Sequence, residues 1–387
     1  MKCLITLIQC VVSHPAHTTL PEGTSEITAL LGAIAQLYIG RRTHIPPRIN
    51  YAAAALLPVV SVLTDSNALA NAWRVAHAVN ECEWISAFVF LWSLCAIAAA
   101  GILGLTRKAA SVNGKRREFL RASTAAACAA PIAALGFGIA TRRDFRINEI
   151  DLKFPDLPKD LDGLRMLQLS DIHLGAFFTP SDLARVVDAS NALRPDLVLV
   201  TGDLITTKDD PLDRCLLELR RLRASSGIWG CLGNHEYNAN VEAYAQMQAQ
   251  KLDIFFLRNQ ANALKFGDSR LNLVGVDYKS WRPYLDSVRD LVDLDSFNLL
   301  LAHTPEVFPE AADTGFDLTL SGHTHGGQIN VELLGTNFNI AGVHTPYTKG
   351  LYTLQTSSIY VNSGLGTIGI PVRIGVPPEI TLIRLGT

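Results

Sequence analysis

Five apolar runs in this chain are each followed at once by a short polar island that contains histidine, aspartate or asparagine. The runs read LRMLQLS, DLVLVT, IWGCL, FNLLLA and DLTLS, and each has the length and apolar content of a buried strand. The islands are Asp171-Ile-His173, Gly202-Asp203, Gly233-Asn234-His235, His303 and Gly322-His323-Thr-His325. Open α/β sheets place their sites at the carboxyl ends of their strands. The pattern therefore predicts a layered α/β domain in which these polar side chains meet at one edge.

Hydrophobic residues are unevenly distributed along the 387 residues of the chain. They make up 48% of the sequence, and the mean hydropathy of +0.20 is high for a globular protein. Much of the excess lies near the start, where apolar stretches suit about four transmembrane helices, most clearly at 84–105 and 122–140. None of these stretches carries Asp, Glu, Lys or Arg, which favours an anchor over a transporter. We expect an all-α transmembrane region at 1–145 and a catalytic domain at 146–387.

Basic residues are concentrated in two of the loops between these stretches. Residues 41–48 contain three, residues 65–83 contain one and residues 106–121 contain six. By the positive-inside rule this predicts a multi-pass protein of the bacterial inner membrane with its catalytic domain on the extracytoplasmic face. Residues 116–121, RREFLR, resemble a twin-arginine export signal. The alternative interpretation is a basic cluster beside a membrane helix.

The islands contain the residue types that a pair of divalent metal ions requires. A phosphate ester resists attack because its negative oxygens repel hydroxide and its alkoxide is a poor leaving group. Two ions about 3.5 to 4 Å apart lower the pKa of a shared water and neutralise those oxygens. We assign Asp171, His173 and His325 to one ion, Asn234, His303 and His323 to the other, Asp203 to a bridge between them, and His235 to protonation of the leaving oxygen.

The order of the islands resembles that of the calcineurin-like metallophosphoesterase family, whose pattern is D-x-H, G-D, G-N-H-[DE], H and G-H-x-H. The resemblance covers about residues 160–387. It implies a two-sheet αββα sandwich, and it implies the same metal ligands and the same catalytic histidine as the assignment above.

A narrower resemblance links the chain to the membrane-anchored bacterial phosphodiesterase branch of that family. The shared segments are SDIHLG at 170–175, GNHEY at 233–237, SGHTHGGQ at 321–328 and GLGT at 364–367. Some members of the branch look like UDP-2,3-diacylglucosamine pyrophosphate hydrolases of lipid A biosynthesis. That activity is one specific alternative to a general phosphodiester or pyrophosphate hydrolase.

Four further polar residues lie close to the islands or to the late segment. We expect Glu236 to fix local hydrogen bonds around the metal ligands and Gln328 to brace its loop. Asp277 ends the run LNLVGVD, so a turn residue is the main interpretation and a substrate contact the alternative. For Arg373 an exposed surface role is the main interpretation and a contact with substrate phosphate the alternative.

The ligand set limits the cofactors and partners. Mixed nitrogen and oxygen ligands suit Mn, Fe, Zn or Co. The expected partners are the membrane and a phosphorylated small-molecule or lipid substrate, and no protein partner is evident. With a formal net charge of −2 we expect no nucleic-acid partner, because no overall positive field attracts a phosphate backbone. A non-catalytic metal-binding membrane sensor is the alternative from another functional class.

Overall fold

The structure, a computed structural model, describes residues 133–333, 336–339 and 341–387. Within it, residues 140–368 and 372–387 form one compact unit, which contains every strand and helix named below. The domain boundary predicted at residue 145 is not tested by this division and stays a prediction.

The predicted membrane region falls almost entirely outside the described residues. Of the two clearest predicted spans, 84–105 lies outside them, and only 133–140 of the second is described, as helix. In the part of the chain that the structure describes, no helix is both long and apolar enough to cross a bilayer. The helix Pro180–Ala192, for example, has 13 residues, and a span needs about 20. The prediction of a multi-pass protein in the bacterial inner membrane is therefore wrong.

The described elements alternate between strands and helices over most of the domain. The strands are β1 (Arg146–Lys153), β2 (Arg165–Leu169), β3 (Leu197–Thr201), β4 (Ile228–Cys231), β5 (Ile254–Phe256), β6 (Gln260–Phe266), β7 (Ser269–Gly275), β8 (Phe297–Leu301), β9 (Leu318–Ser321), β10 (Asn330–Leu333), β11 (Thr336–Asn339), β12 (Gly350–Leu354), β13 (Ser357–Val361) and β14 (Glu379–Gly386). The helices are α1 (Pro180–Ala192), α2 (Leu212–Leu219), α3 (Asn234–Ala239), α4 (Glu242–Gln250) and α5 (Phe308–Thr314).

Two mixed sheets of six strands carry the fold. The first has the order β1-β14-β2-β3-β4-β5, in which β2 to β5 are parallel and β14 runs antiparallel to β2. The second has the order β12-β13-β9-β8-β7-β6, with β13, β9, β8 and β7 parallel between two antiparallel edge strands. Strands β10 and β11 form a separate ribbon.

Successive side chains of the central strands point to opposite faces of the sheet, and each face packs in a different hydrophobic layer. In β3, Leu197 and Leu199 point into the cluster between the sheets, whereas Val198 and Val200 point to the outer cluster that includes residues of α1, α2 and α4. On the other sheet, Leu300 packs in an outer cluster that includes a residue of α5. Both faces of each sheet are therefore covered, which explains the continuous apolar runs. The predicted two-sheet α/β sandwich is confirmed, and the predicted all-α transmembrane region is not supported.

Candidate metal centre

All the polar islands lie at one edge of the sandwich, because each follows the carboxyl end of a strand. Asp171 and His173 follow β2, Asp203 follows β3, and Asn234 and His235 begin α3 after β4. The other sheet contributes His303 after β8, and His323 and His325 after β9. The site is thus assembled from both sheets.

The first group consists of Asp171, His173 and His325, which offer ligand atoms within 4.8 Å of one another. The Nε2 atoms of His173 and His325 are 3.1 Å apart. His325 Nε2 lies 3.5 Å from Asp171 Oδ1, and His173 Nε2 lies 3.6 Å from Asp203 Oδ2. All three side chains are buried.

The second group consists of Asn234, His303 and His323, together with Asp203. Asn234 Oδ1 is 2.9 Å from both His303 Nε2 and His323 Nδ1. His303 Nε2 lies 3.1 Å from Asp203 Oδ2, the same oxygen that faces His173 in the first group. One carboxylate oxygen is therefore shared between the two groups.

The spacing of these atoms fits coordination of metal ions. Ligand atoms about 2.1 Å from an ion, and at right angles about it, lie about 3.0 Å from each other. The separations in both groups, 2.9 to 3.6 Å, fall close to that value. Neutral imidazoles, one amide oxygen and two carboxylates also form a donor set suited to divalent transition metals.

Hydrogen bonds on the far side of the rings orient the histidines. His303 Nδ1 donates to the carbonyl oxygen of Thr201 at 2.7 Å, so Nε2 is the ring nitrogen that becomes a metal ligand once it loses its proton. His173 Nδ1 pairs with Thr206 Oγ1 at 3.0 Å in the same manner. These hydrogen bonds to Nδ1 fix the ring positions of the two candidate ligands on the side opposite Nε2.

His235 lies beside the first group. Its ring meets that of His173 edge to face at 4.8 Å, its backbone N–H donates to Asp203 Oδ1 at 3.0 Å, and its Nδ1 donates to the carbonyl oxygen of Thr206 at 2.7 Å. Nε2 is then the atom available to a substrate. It can deliver a proton when the ring carries protons on both nitrogens.

Burial and the Asp203 carboxylate give the histidines of the site different protonation states. Burial lowers the pKa of His173 and of His323 to about 3, so both rings are neutral at pH 7. Burial opposes charge on His303 as well, but the adjacent Asp203 outweighs it and raises the pKa of His303 to about 10. His303 must therefore release a proton before its Nε2 can bind a metal.

The backbone at these turns adopts the left-handed conformation. This conformation is uncommon for residues other than glycine and is costly, so it persists where the surroundings impose it, often at functional sites. The candidate ligands with positive φ are Asp171 at 49°, His173 at 46°, Asp203 at 54°, His323 at 71° and His325 at 50°. A Cβ on Gly322 would overlap the Asp171 carboxylate, which explains a glycine before His323.

Comparisons with known proteins agree with this geometry. The sequence model of the calcineurin-like phosphoesterases matches residues 164–327. The uncharacterized metallophosphoesterase YkuE of Bacillus subtilis is 31% identical over 283 residues, which cover 70% of this chain and 97% of the relative. The chain belongs to the calcineurin-like phosphoesterase family. As a member of this family it is a metal-dependent phosphoester hydrolase, and the family uses two divalent metal ions.

Two further relatives are longer than the matched region. The uncharacterized metallophosphoesterase Cj0846 of Campylobacter jejuni is 31% identical, with 62% of this chain and 63% of the relative covered. The transmembrane protein with metallophosphoesterase domain of Danio rerio is 31% identical, with 62% of this chain and 57% of the relative covered. The chain thus spans less than two thirds of the length of these two phosphoesterases.

Glu236 lies behind the Asp203 turn of this phosphoesterase and is fully buried. Its carboxylate accepts four backbone N–H groups, those of Gly233, Asp203, Leu204 and Ile205, at 2.7 to 3.3 Å. Burial raises the pKa of Glu236, and these donors offset part of that effect. The side chain holds the two strand-end turns together, in line with the hydrogen-bonding role expected from the sequence.

Glu236→Gln should lower the free energy of unfolding by about 2 to 3 kcal/mol, because the amide NH2 faces backbone donors and leaves them buried without an acceptor. Urea denaturation in the presence of a chelator measures this without a contribution from bound metal. Glu310→Gln is the matched control: Glu310 accepts two backbone N–H groups and is partly exposed. An equal loss in both variants would contradict the role of Glu236.

The other three residues predicted near the site have structural contacts. Gln328 exchanges two hydrogen bonds with the backbone of Ile368, so it braces its loop. Asp277 forms a two-point ion pair with Arg258. Arg373 is 2% exposed and lies behind His325, so the expected surface role is wrong.

Sequence reasoning missed Thr206, which contacts two histidines of the site. Its hydroxyl pairs with His173 and its carbonyl oxygen accepts from His235. The signal was present, since Thr206 follows Asp203 by three residues on the same turn. A hydroxyl residue near a metal-ligand motif is therefore a candidate hydrogen-bond partner of the ligand histidines.

Proposed function

We propose that this phosphoesterase hydrolyses a phosphodiester or pyrophosphate bond at the two groups around Asp203. The observation that carries the proposal is the shared oxygen: Asp203 Oδ2 lies 3.1 Å from His303 Nε2 and 3.6 Å from His173 Nε2. A single carboxylate between two sets of ligands is what a binuclear site requires.

We propose Arg146–Gly386 as the folded extent of the catalytic domain, since β1 begins the first sheet and β14 completes it.

We propose separate tasks for the residues of this site. When bound, two divalent ions supply Lewis acidity, which activates water and neutralises phosphoryl oxygens. The first group and the second group hold those ions, and Asp203 links the groups. His235 Nε2 protonates the leaving oxygen, while Nδ1 keeps its hydrogen bond to Thr206. The amide oxygen of Asn234 completes the second group without adding negative charge.

A specific activity within this class is hydrolysis of the pyrophosphate of UDP-2,3-diacylglucosamine. The segments at 170–175, 233–237 and 321–328, which resemble those of enzymes with that activity, support this alternative. A sensor that keeps its metals without turnover is the alternative from another class. The assays that follow separate the sensor from the hydrolase, and turnover of UDP-2,3-diacylglucosamine itself tests the specific activity.

Purified full-length protein with Mn²⁺ should hydrolyse bis-p-nitrophenyl phosphate or a nucleoside pyrophosphate and should contain two metal ions per chain. Elemental analysis and steady-state rates measure the two properties independently. A chelator should abolish turnover and lower the thermal midpoint, since ions that bind only the folded state stabilise it, by about 2.7 kcal/mol at a hundred times Kd. Two bound ions without turnover on any phosphoester would favour the sensor, and no bound metal would refute both.

A further inference from the structure

Arg373 is a buried cation with a complete set of acceptors. Its Nε and Nη2 donate to the carbonyl oxygen of Gly366, and its Nη1 donates to that of Ser363 at 2.9 Å. A longer contact of 3.4 Å reaches the carbonyl oxygen of Val376. Nη2 also lies 3.3 Å from Nδ1 of His325. The planar guanidinium thus joins one ring of the first group to two separate loop segments.

The segment from Ser363 to Gly366 that Arg373 holds is itself attached to the Asp171 turn. Leu365 N donates to Ser170 O at 3.0 Å, and Gly366 N donates to Asp171 O at 2.7 Å. A Cβ on Gly364 would meet Asp171 Cβ at 2.6 Å, so the contact is close packed. Arg373 is therefore connected to Asp171 through this segment, and its guanidinium also lies against the ring of His325.

Fold stability alone does not explain the presence of this charge. Burial lowers the pKa of Arg373 to about 10, because a cation is removed from water, while the more distant Asp171 and Glu379 carboxylates oppose that shift. Its hydrogen-bond acceptors are backbone carbonyls, none of which is negatively charged. Burying an ion against neutral partners costs free energy. Apolar side chains of similar size often give the folded protein an equal or greater free energy of unfolding. What an apolar side chain cannot supply is the fixed fork of donors.

The second group is oriented by different partners. His303 is fixed by the carbonyl oxygen of Thr201, and the backbone N–H of His323 donates to both oxygens of Asp171. Arg373 acts directly on the segment that supports the Asp171 turn. The second group is linked to Arg373 only indirectly, through the His323 contact with Asp171.

We propose that Arg373 is a positioning residue for the first group. Its donor fork holds the segment that supports the Asp171 turn, and metal affinity at the first group depends on this fork more strongly than affinity at the second group does. The inference rests on the proposed assignment of the two groups to two ions. It assigns to Arg373 neither contact with substrate nor any proton transfer.

Mn²⁺ titration of the full-length protein, followed by elemental analysis and electron paramagnetic resonance, tests the inference. Arg373→Lys keeps the charge but loses the fork, and Arg373→Met loses both. In each variant one of two Mn²⁺ equivalents should bind about 10 to 100 times more weakly, the usual effect of removing an outer partner of a metal ligand. The spectrum at limiting Mn²⁺ should change from that of a coupled pair to that of an isolated ion.

Two comparison variants make the test specific. Arg258→Lys alters an arginine that forks onto Asp277, and it should bind both equivalents as the unaltered protein does. His323→Ala should lose the other equivalent and keep the one that Arg373 supports.

Each remaining outcome would overturn the inference. Normal binding of both equivalents by Arg373→Lys would mean that the charge is sufficient. Equal weakening of both equivalents would indicate a general effect on the fold. If the unaltered protein bound no metal, the proposed function itself would fail, which is a result distinct from a failure of the Arg373 variants alone.

Discussion

Replacing Asp203 with asparagine should lower kcat/KM for a phosphodiester by about a thousandfold or more and should weaken metal binding at both groups. The side chain keeps its shape but loses the negative charge of Oδ2, the oxygen that faces His303 and His173. A thousandfold corresponds to about 4 kcal/mol of lost transition-state stabilisation, which is in the range expected when metal-based charge stabilisation is removed. Steady-state rates with Mn²⁺ and metal content per chain measure the two effects.

The matched control is Asp277→Asn. Asp277 is also an aspartate just past the end of a strand, but it pairs with Arg258 and belongs to neither group. This variant should keep both metal ions and should change kcat/KM by less than about tenfold, well short of the Asp203 effect. Retention of two metals and near-normal rates in Asp203→Asn would refute the bridging assignment.

His235→Ala should slow the release of poor leaving groups far more than that of good ones. For an alkyl phosphodiester, kcat should fall about 10² to 10⁴-fold, the usual contribution of a general acid. For bis-p-nitrophenyl phosphate the loss should be less than about tenfold, because nitrophenolate departs without a proton. The ratio of kcat values for the two substrates, measured in both proteins, is therefore the decisive quantity.

His344→Ala provides the control, since His344 is an exposed histidine outside the two groups. It should leave both rates unchanged. Equal losses on the two substrates in His235→Ala would rule out proton donation to the leaving group. They would point instead to His235 as a support for the first group, where its ring lies against that of His173.

Local patterns predicted a layered α/β domain and the edge at which the polar islands meet, whereas the two-sheet sandwich was implied by the resemblance to the calcineurin-like family. Apolar runs with an island at the carboxyl end define buried parallel strands, and β2, β3, β4, β8 and β9 occupy those runs. The role of Glu236 was also predictable, since it is adjacent to His235 and bonds to the Asp203 turn. The assignment of ligands to two ions stays a prediction until metal is measured.

Other features depend on contacts between distant segments and could not be predicted from local patterns. Arg373 lies in the segment IPVRIG, which carries no sign that the side chain turns inward to His325, 48 residues away. The position of β14 between β1 and β2 is likewise a pairing across more than 200 residues. Such pairings depend on the arrangement of the whole sheet, which a periodic pattern does not specify.

The position of β14 also bears on protein synthesis. Because β14 lies between β1 and β2, strand β2 lacks a neighbour on one side until residues near 381–384 have been translated. The turn that carries Asp171 follows β2, and its supporting glycines lie at 364 and 366. A partly synthesised chain therefore presents Asp203 and Asn234 before the Asp171 turn is secured. Support for the Asp171 turn thus comes from segments that are translated about 200 residues after it.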